Sequence, residues 1–180
     1  MCGIFKKSTF WVILSVTLLT GGCGSNYSHG WLYPESVSTV YVEMFDTRSF
    51  RRGHEYVLTD AIAKHIETDT PYKIVSDRNV ADSVLSGKLG SIGQSTLNYE
   101  RNTGSAFESE TQVTVTVSWK NLKTGALFID NEQVEATATF SSWAGQDFEY
   151  ASRVAMNRAA ERVVELMQTK WEPVSDAGEN

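Results

Sequence analysis

Residues 111–119 read TQVTVTVSW, and this run decides the architecture. Val113, Val115, Val117 and Trp119 fall on one parity, Thr114, Thr116 and Ser118 on the other. Alternation with a period of two marks a strand with one buried face. Residues 121–125 (NLKTG) follow as a five-residue connection ending in glycine, which turns the chain back as a hairpin from Ala126 onward. In the returning strand Leu127 and Ile129 share one parity, whereas Val134, Ala136 and Ala138 take the other. A bulge near residues 131–133 reconciles the two sets.

Upstream, residues 83–94 alternate loosely around Leu85, Leu89 and Ser91, interrupted by Gly87, Gly90 and Gly93. Residues 72–75 predict a short strand, and residues 78–82 a turn. Leu58, Ala61, Ile62, His65 and Ile66 recur at helical spacing, with Asp60, Lys64 and Glu67 turned outward. Glu55 suits the first turn of that helix, and Pro71 prevents its continuation. From Val37 the pattern alternates again, with Val40, Val42 and Met44 on one side and Tyr41, Glu43 and Phe45 on the other. Residues 46–53 (DTRSFRRG) form a polar connection with three arginines. Downstream, Phe148, Ala151, Ala155, Ala159, Val163 and Leu166 mark a longer helix, capped by Asp147 and ending near Trp171. The order β-α-β-β-β-β-α predicts an α+β fold, two helices packed on one face of a mixed sheet of four to five strands.

The beginning of the chain points to a membrane surface. Lys6 and Lys7 precede an apolar run at 10–19 (FWVILSVTLL), and Thr20, Gly21 and Gly22 lead into Cys23. Ten apolar residues are too few to span a bilayer, so residues 1–22 have the form of an export signal. A cysteine directly after the cleavage site reads as a lipoprotein signal: the thiol of Cys23 receives a diacylglycerol, and the new N-terminus is acylated, as by palmitate. Two or more acyl chains make release from a membrane negligible. The other reading is an ordinary secretory signal with an incidental cysteine. Gly24, where an aspartate would favour retention at the inner membrane, directs the expectation to the outer membrane, facing the periplasm.

Removing residues 1–22 takes two lysines and no acids, so the formal charge moves from −6 to −8. That balance disfavours nucleic acid as a partner, because such binding depends on clustered Lys and Arg. Cys2 leaves with the signal and Cys23 is consumed by lipid, so no disulfide or cysteine-ligated metal is expected.

Chemistry-bearing patterns are scarce. His29, His54 and His65 are the three histidines; His65 lies on the helical stripe and reads as a core histidine. His54 and Glu55 are adjacent, so they lack the i, i+4 spacing of a helical metal site. Residues 87–93 (GKLGSIG) resemble a phosphate loop, but they sit in a strand pattern with no helix following, which favours a bulged or closely approached strand. Arg51, Arg52, Arg101, Lys120 and Lys123 all fall in predicted connections. No cofactor, metal site or catalytic residue is expected, and the chain reads as non-enzymatic.

Taken in order, these segments are similar to the LPS-assembly lipoprotein family, LptE, over about residues 30–171. The resemblance is carried by GWLYP at 30–34, VSTVYVEMF at 37–45 with DTRSF at 46–50, and LTDAI at 58–62. It continues through YKIVSD at 72–77, ADSVLSG at 81–87, the alternation at 113–119, KTG at 123–125 and Trp171-Glu172. The layout it implies is a signal at 1–22, a lipidated tether at 23–34, an LptE-like domain at 35–171 and a flexible tail at 172–180. The resemblance further implies a plug and assembly aid for a large outer-membrane β-barrel, LptD, and binding of lipopolysaccharide during its delivery to the outer leaflet. A barrel lumen is polar, and the outward row Thr114, Thr116, Ser118, with Ser95, Thr96 and Asn98, suits it. Lys120 and Lys123 are candidate ligand contacts, paired cations at a hairpin able to meet sugar phosphates. The rival expectation is a free-standing envelope lipoprotein that activates a cell-wall synthase.

Overall fold

The computed structural model describes residues 32–47, 52–102 and 104–168. The expected signal, Cys23, His29, Arg51 and the tail at 172–180 lie outside them. The strands are β1 (Thr39–Val42), β2 (Asp46–Thr47), β3 (Lys73–Ile74), β4 (Ser83–Tyr99), β5 (Ala106–Asn121) and β6 (Leu127–Ser141). Helix α1 (His54–Asp69) lies between β2 and β3, and α2 (Phe148–Leu166) follows a 3-10 turn at Ser142–Ala144. The sheet order is β3-β1-β4-β5-β6, with β2 continuing beside β4 in line with β1. β1 runs parallel to β3 and β4, while β4, β5 and β6 are antiparallel. This is the expected α+β fold with both helices against a mixed sheet.

The core forms where the alternation of β5 meets the helices. Val113, Val115, Val117 and Trp119 are buried with Leu58, Ile62 and Ile66 of α1 and with Ala151, Ala155, Ala159 and Val163 of α2. Asp147 caps α2 as expected, its carboxylate accepting from the Tyr150 amide at 2.8 Å. The small side chains of the buried α2 face let that helix lie against β5, β6 and α1 together.

The bulge expected in the returning strand is present: Val117 pairs with Glu132 but Trp119 with Ile129, and Asn131 takes φ 50°. The glycine-rich run at 87–93 lies within β4. A Cβ on Gly87 would stand 2.4 Å from the Phe45 ring and 2.4 Å from the Thr116 carbonyl oxygen. A closely approached, bulged strand is therefore its form, with the register shift between Leu89 and Ile92.

Several local expectations need correction. The first strand is interrupted: Met44 is exposed and Phe45 buried, the reverse of the predicted parity. The break lets the Phe45 amide donate to Thr59 Oγ1 at 3.2 Å while its ring covers Gly87. Ser91 faces solvent because the β4 bulge puts Ile92 opposite Val113 in its place. A second shift in β6 puts Leu127 opposite Lys120, so Leu127 is exposed instead of sharing the inward side of Ile129. Lys120 belongs to β5 itself, not to the connection. Helix α2 ends at Leu166, short of Trp171. His65 is not a core residue; it is partly exposed, with Nδ1 2.7 Å from Asp69 Oδ2.

Candidate functional site

Among the described residues the helices cover one face of the sheet and no element covers the other. On that outer face β5 presents Gln112, Thr114, Thr116, Ser118 and Lys120, because period-two alternation sends every second side chain away from the core. Their cross-strand partners on β6 are polar too: Gln112 faces Thr137, Thr114 faces Glu135 and Thr116 faces Gln133. Gln112 Nε2 donates to Glu135 Oε2 at 3.2 Å and Gln133 Nε2 to Glu135 Oε1 at 3.1 Å. At the β6 bulge the Asn131 amide donates to Ser118 Oγ at 3.1 Å. On β4 the face continues with Ser86 opposite Ser118 and Lys88 opposite Thr116. Asp46, Lys88 and Thr116 border two adjoining open depressions, of about 340 and 650 Å³. Hydroxyls, amides and isolated charges of this kind hold water and polar surfaces; they are not a nucleophile–base arrangement.

One end of the sheet gathers the chain's longest-range polar contacts. Asp82, just before β4, accepts from the amides of Ser38 and Thr39 at 2.9 Å each. Its other oxygen lies 2.5 Å from Lys123 Nζ on the β5–β6 turn. Its backbone carbonyl accepts from the Leu122 amide at 2.8 Å. Lys123, with the Ser38 amide and then Thr39 supporting it, holds the Asp82 carboxyl well below the usual carboxylate range. Lys123 is therefore engaged, whereas Lys120 stands exposed on the outer face. Sequence reading singled out both lysines and missed Asp82, whose only local signal is an acid immediately before a strand.

Beneath this node four rings cross the end of the sheet. Tyr33 packs on Tyr72 and Tyr72 on Trp119, with centroids 5.7 Å apart in each pair, and Trp119 packs on Phe128 at 4.5 Å. The indole Nε1–H of Trp119 donates to buried Ser83 Oγ at 3.0 Å. Burial, and then Tyr33, pushes the Tyr72 phenol well above its ordinary value. Tyr33 OH donates to the Asp69 carbonyl at 3.1 Å and Tyr72 OH to the Pro34 carbonyl at 3.3 Å, which pins the start of the described chain here.

Among the described residues no group of three or more His, Cys, Asp or Glu side chains could hold a metal ion. No helix among them is long and apolar enough to cross a membrane.

The family model for LptE, lipopolysaccharide-assembly, matches residues 37–170. The chain belongs to the LptE family. The matched span runs from before β1 to beyond α2, so both the bare sheet face and the Asp82 node are parts of the LptE domain. LptE is a family of non-enzymatic lipoproteins. No curated protein sequence is similar enough to count as a match. Among solved structures, lipoprotein B of Nitrosomonas europaea is 12% identical with a TM-score of 0.53, over 74% of this chain and 82% of that one. A minor lipoprotein of Acinetobacter baumannii is 14% identical with a TM-score of 0.52, over 78% of this chain and 100% of its own. At such identities the likeness concerns the fold.

Proposed function

We propose that this LptE protein is acylated at Cys23, sits on the periplasmic side of the outer membrane, and plugs an LptD-type β-barrel while assisting its assembly for lipopolysaccharide transport. The observation that supports this reading best is the uncovered outer face, polar from Ser86 and Lys88 through Gln112, Thr114, Thr116 and Ser118 to Gln133, Glu135 and Thr137. A sheet face exposed to a water-filled lumen needs polar side chains, whereas a face meant for a membrane or an obligate apolar partner would carry an apolar patch. Lys120 is the cation offered to lipopolysaccharide phosphates; Lys123 contributes by exchanging Asp82 for the phosphate.

Detergent extraction with affinity capture of the full lipoprotein tests the proposal. The expected result is co-purification with a large barrel, together with loss of folded barrel when the lipoprotein is depleted. An isolated monomer, or crosslinking in cells to an inner-membrane cell-wall synthase, overturns it. Lys120→Ala combined with Lys123→Ala is expected to weaken lipopolysaccharide binding while leaving barrel capture intact.

A further inference from the structure

Resting on the plug reading above, we infer that the open edge of β4 from Ile92 to Tyr99 takes up an extended segment of the barrel polypeptide as an added strand.

The edge is open because the neighbouring strands stop short. β1 pairs with β4 only as far as Leu85, and β2 only as far as Leu89. Beyond Leu89, away from the tethered end where Tyr33 and Pro34 are held, β4 pairs with β5 alone among the described residues. The direction of its backbone groups follows from the opposite side of the sheet. Arg158 and Arg162 take the carbonyls of Thr137 and Glu135, so these two residues point away from β5 while Ala136 and Ala138 point toward it. Val113 and Thr111, opposite those alanines, therefore direct their amides and carbonyls to β6. Ile92 and Gln94, opposite Val113 and Thr111 in turn, are left with theirs on the open side, as is Thr96 opposite Ser109. No backbone hydrogen bond from another described element reaches them.

The two long edges of the sheet differ in chemistry. On β6 two arginines occupy edge carbonyls, and Asp130, Glu132 and Glu135 are exposed along the strand. Charges so placed keep other strands away. On β4, residues 89–99 (LGSIGQSTLNY) contain no charge and no proline. Nothing stands within 4 Å of a Cβ at Gly93, which leaves room for a large side chain from a neighbouring strand. One edge is guarded and the other is kept free to pair.

Charge and length choose the occupant. Each mature copy, having lost two lysines from a chain of formal charge −6, stands at −8, which opposes pairing between two copies. The run from Ile92 to Tyr99 spans about 26 Å at the rise of a strand. The apolar band of an outer-membrane barrel is about 25 Å tall, and such barrels fold long loops into their lumens. A loop segment passing through the lumen can thus stay paired over most of its passage. Main-chain bonds then supply the affinity, and the hydroxyls and amides of β4 accept a polar sequence beside them.

Hydrogen exchange resolved to single amides tests this on the full lipoprotein in detergent, alone and with its co-purified barrel. The amides of Gln94 and Thr96 are expected to exchange rapidly in the lipoprotein alone and to slow about tenfold or more in the complex. The Ser95 amide, which faces β5, is expected to change little. Gln94→Pro removes an edge amide without touching the ladder to β5, and is expected to cut barrel capture severalfold at the parent's urea midpoint. Exchange in the parent decides the matter without the variant, whatever proline does to the fold. Unchanged exchange at Gln94 and Thr96 in a complex that holds the barrel overturns the inference and leaves the plug reading standing. Full capture by a folded Gln94→Pro variant does the same. A parent that captures no barrel defeats the plug reading and this inference with it. Protection already present in the lipoprotein alone also overturns it, assigning the edge to a second copy where it grows with concentration and to this chain where it does not.

Discussion

Lys123 Nζ lies 2.5 Å from Asp82 Oδ1, joining the β5–β6 turn to the residue just before β4 across 41 positions of sequence. Asp82 also accepts the amides that lead into β1, so one carboxylate fastens three strands at the tethered end. Replacing Asp82 by Ala leaves those amides without their acceptor and is expected to cost about 1–3 kcal/mol. Lys123→Met, at a largely exposed cation, is expected to cost less than about 1 kcal/mol. Urea unfolding of both variants compares the two.

The same residue makes stability depend on pH. Its folded-state pKa lies below that of the unfolded chain, so its contribution is fully present above the unfolded value, about 3.9. It is lost as pH falls through the folded value. Asp69, lowered first by the hydrogen bond from His65, acts in the same direction. Thermal melts at descending pH should show stability falling below about pH 4. Asp82→Asn should flatten that fall, and an unchanged profile would remove Asp82 from the account.

Gly87, Gly90 and Gly93 form a graded series along β4. An added methyl at Gly87 meets Phe45 and the fixed Thr116 carbonyl at 2.4 Å, at Gly90 the Thr114 carbonyl at 3.2 Å, and at Gly93 nothing within 4 Å. Gly87→Ala is expected to destabilise by about 1–3 kcal/mol. Gly90→Ala should cost less and Gly93→Ala nothing measurable, read from the midpoints of chemical unfolding.

Thr111 Oγ1 is buried on the core side of β5 and has no hydrogen-bond partner among the described residues. An unsatisfied hydroxyl costs more than the methyl that would replace it, so Thr111→Val is expected to stabilise by about 1 kcal/mol. A lower unfolding midpoint would show that the hydroxyl has a partner after all.

Arg158 and Arg162 of α2 reach over the outer strand, donating to the carbonyls of Thr137 (2.7 Å) and Glu135 on the free edge of β6. Free strand edges invite pairing with another chain. The double variant Arg158→Ala with Arg162→Ala is expected to self-associate more than the parent as concentration rises, measured by sedimentation velocity. No difference between the two would mean that the arginines do not guard the edge.

Legibility followed the range of the physics. The alternation from Val113 to Trp119, the turn ending at Gly125, the bulge near Asn131 and the cap at Asp147 were readable because each arises from neighbouring residues. The close approach at Gly87 was readable in kind, though not in partner. Met44 and Phe45 exchanged sides because a helix hydroxyl and a glycine in another strand drew Phe45 inward, and no local pattern carries that information. Leu127 and Ser91 turned outward for a related reason: each follows a register shift set by the strand opposite.

The sequence by itself determined the strand and helix types, their order, the polar character of one sheet face and the family, because periodicity and local motifs are written in adjacent residues. Only the tertiary structure decided that Asp82 engages Lys123, that Lys120 stands exposed on the outer face, and that two arginines lie along the β6 edge. Those contacts join residues distant in the chain, and their partners become definite only when registers and packing have been set.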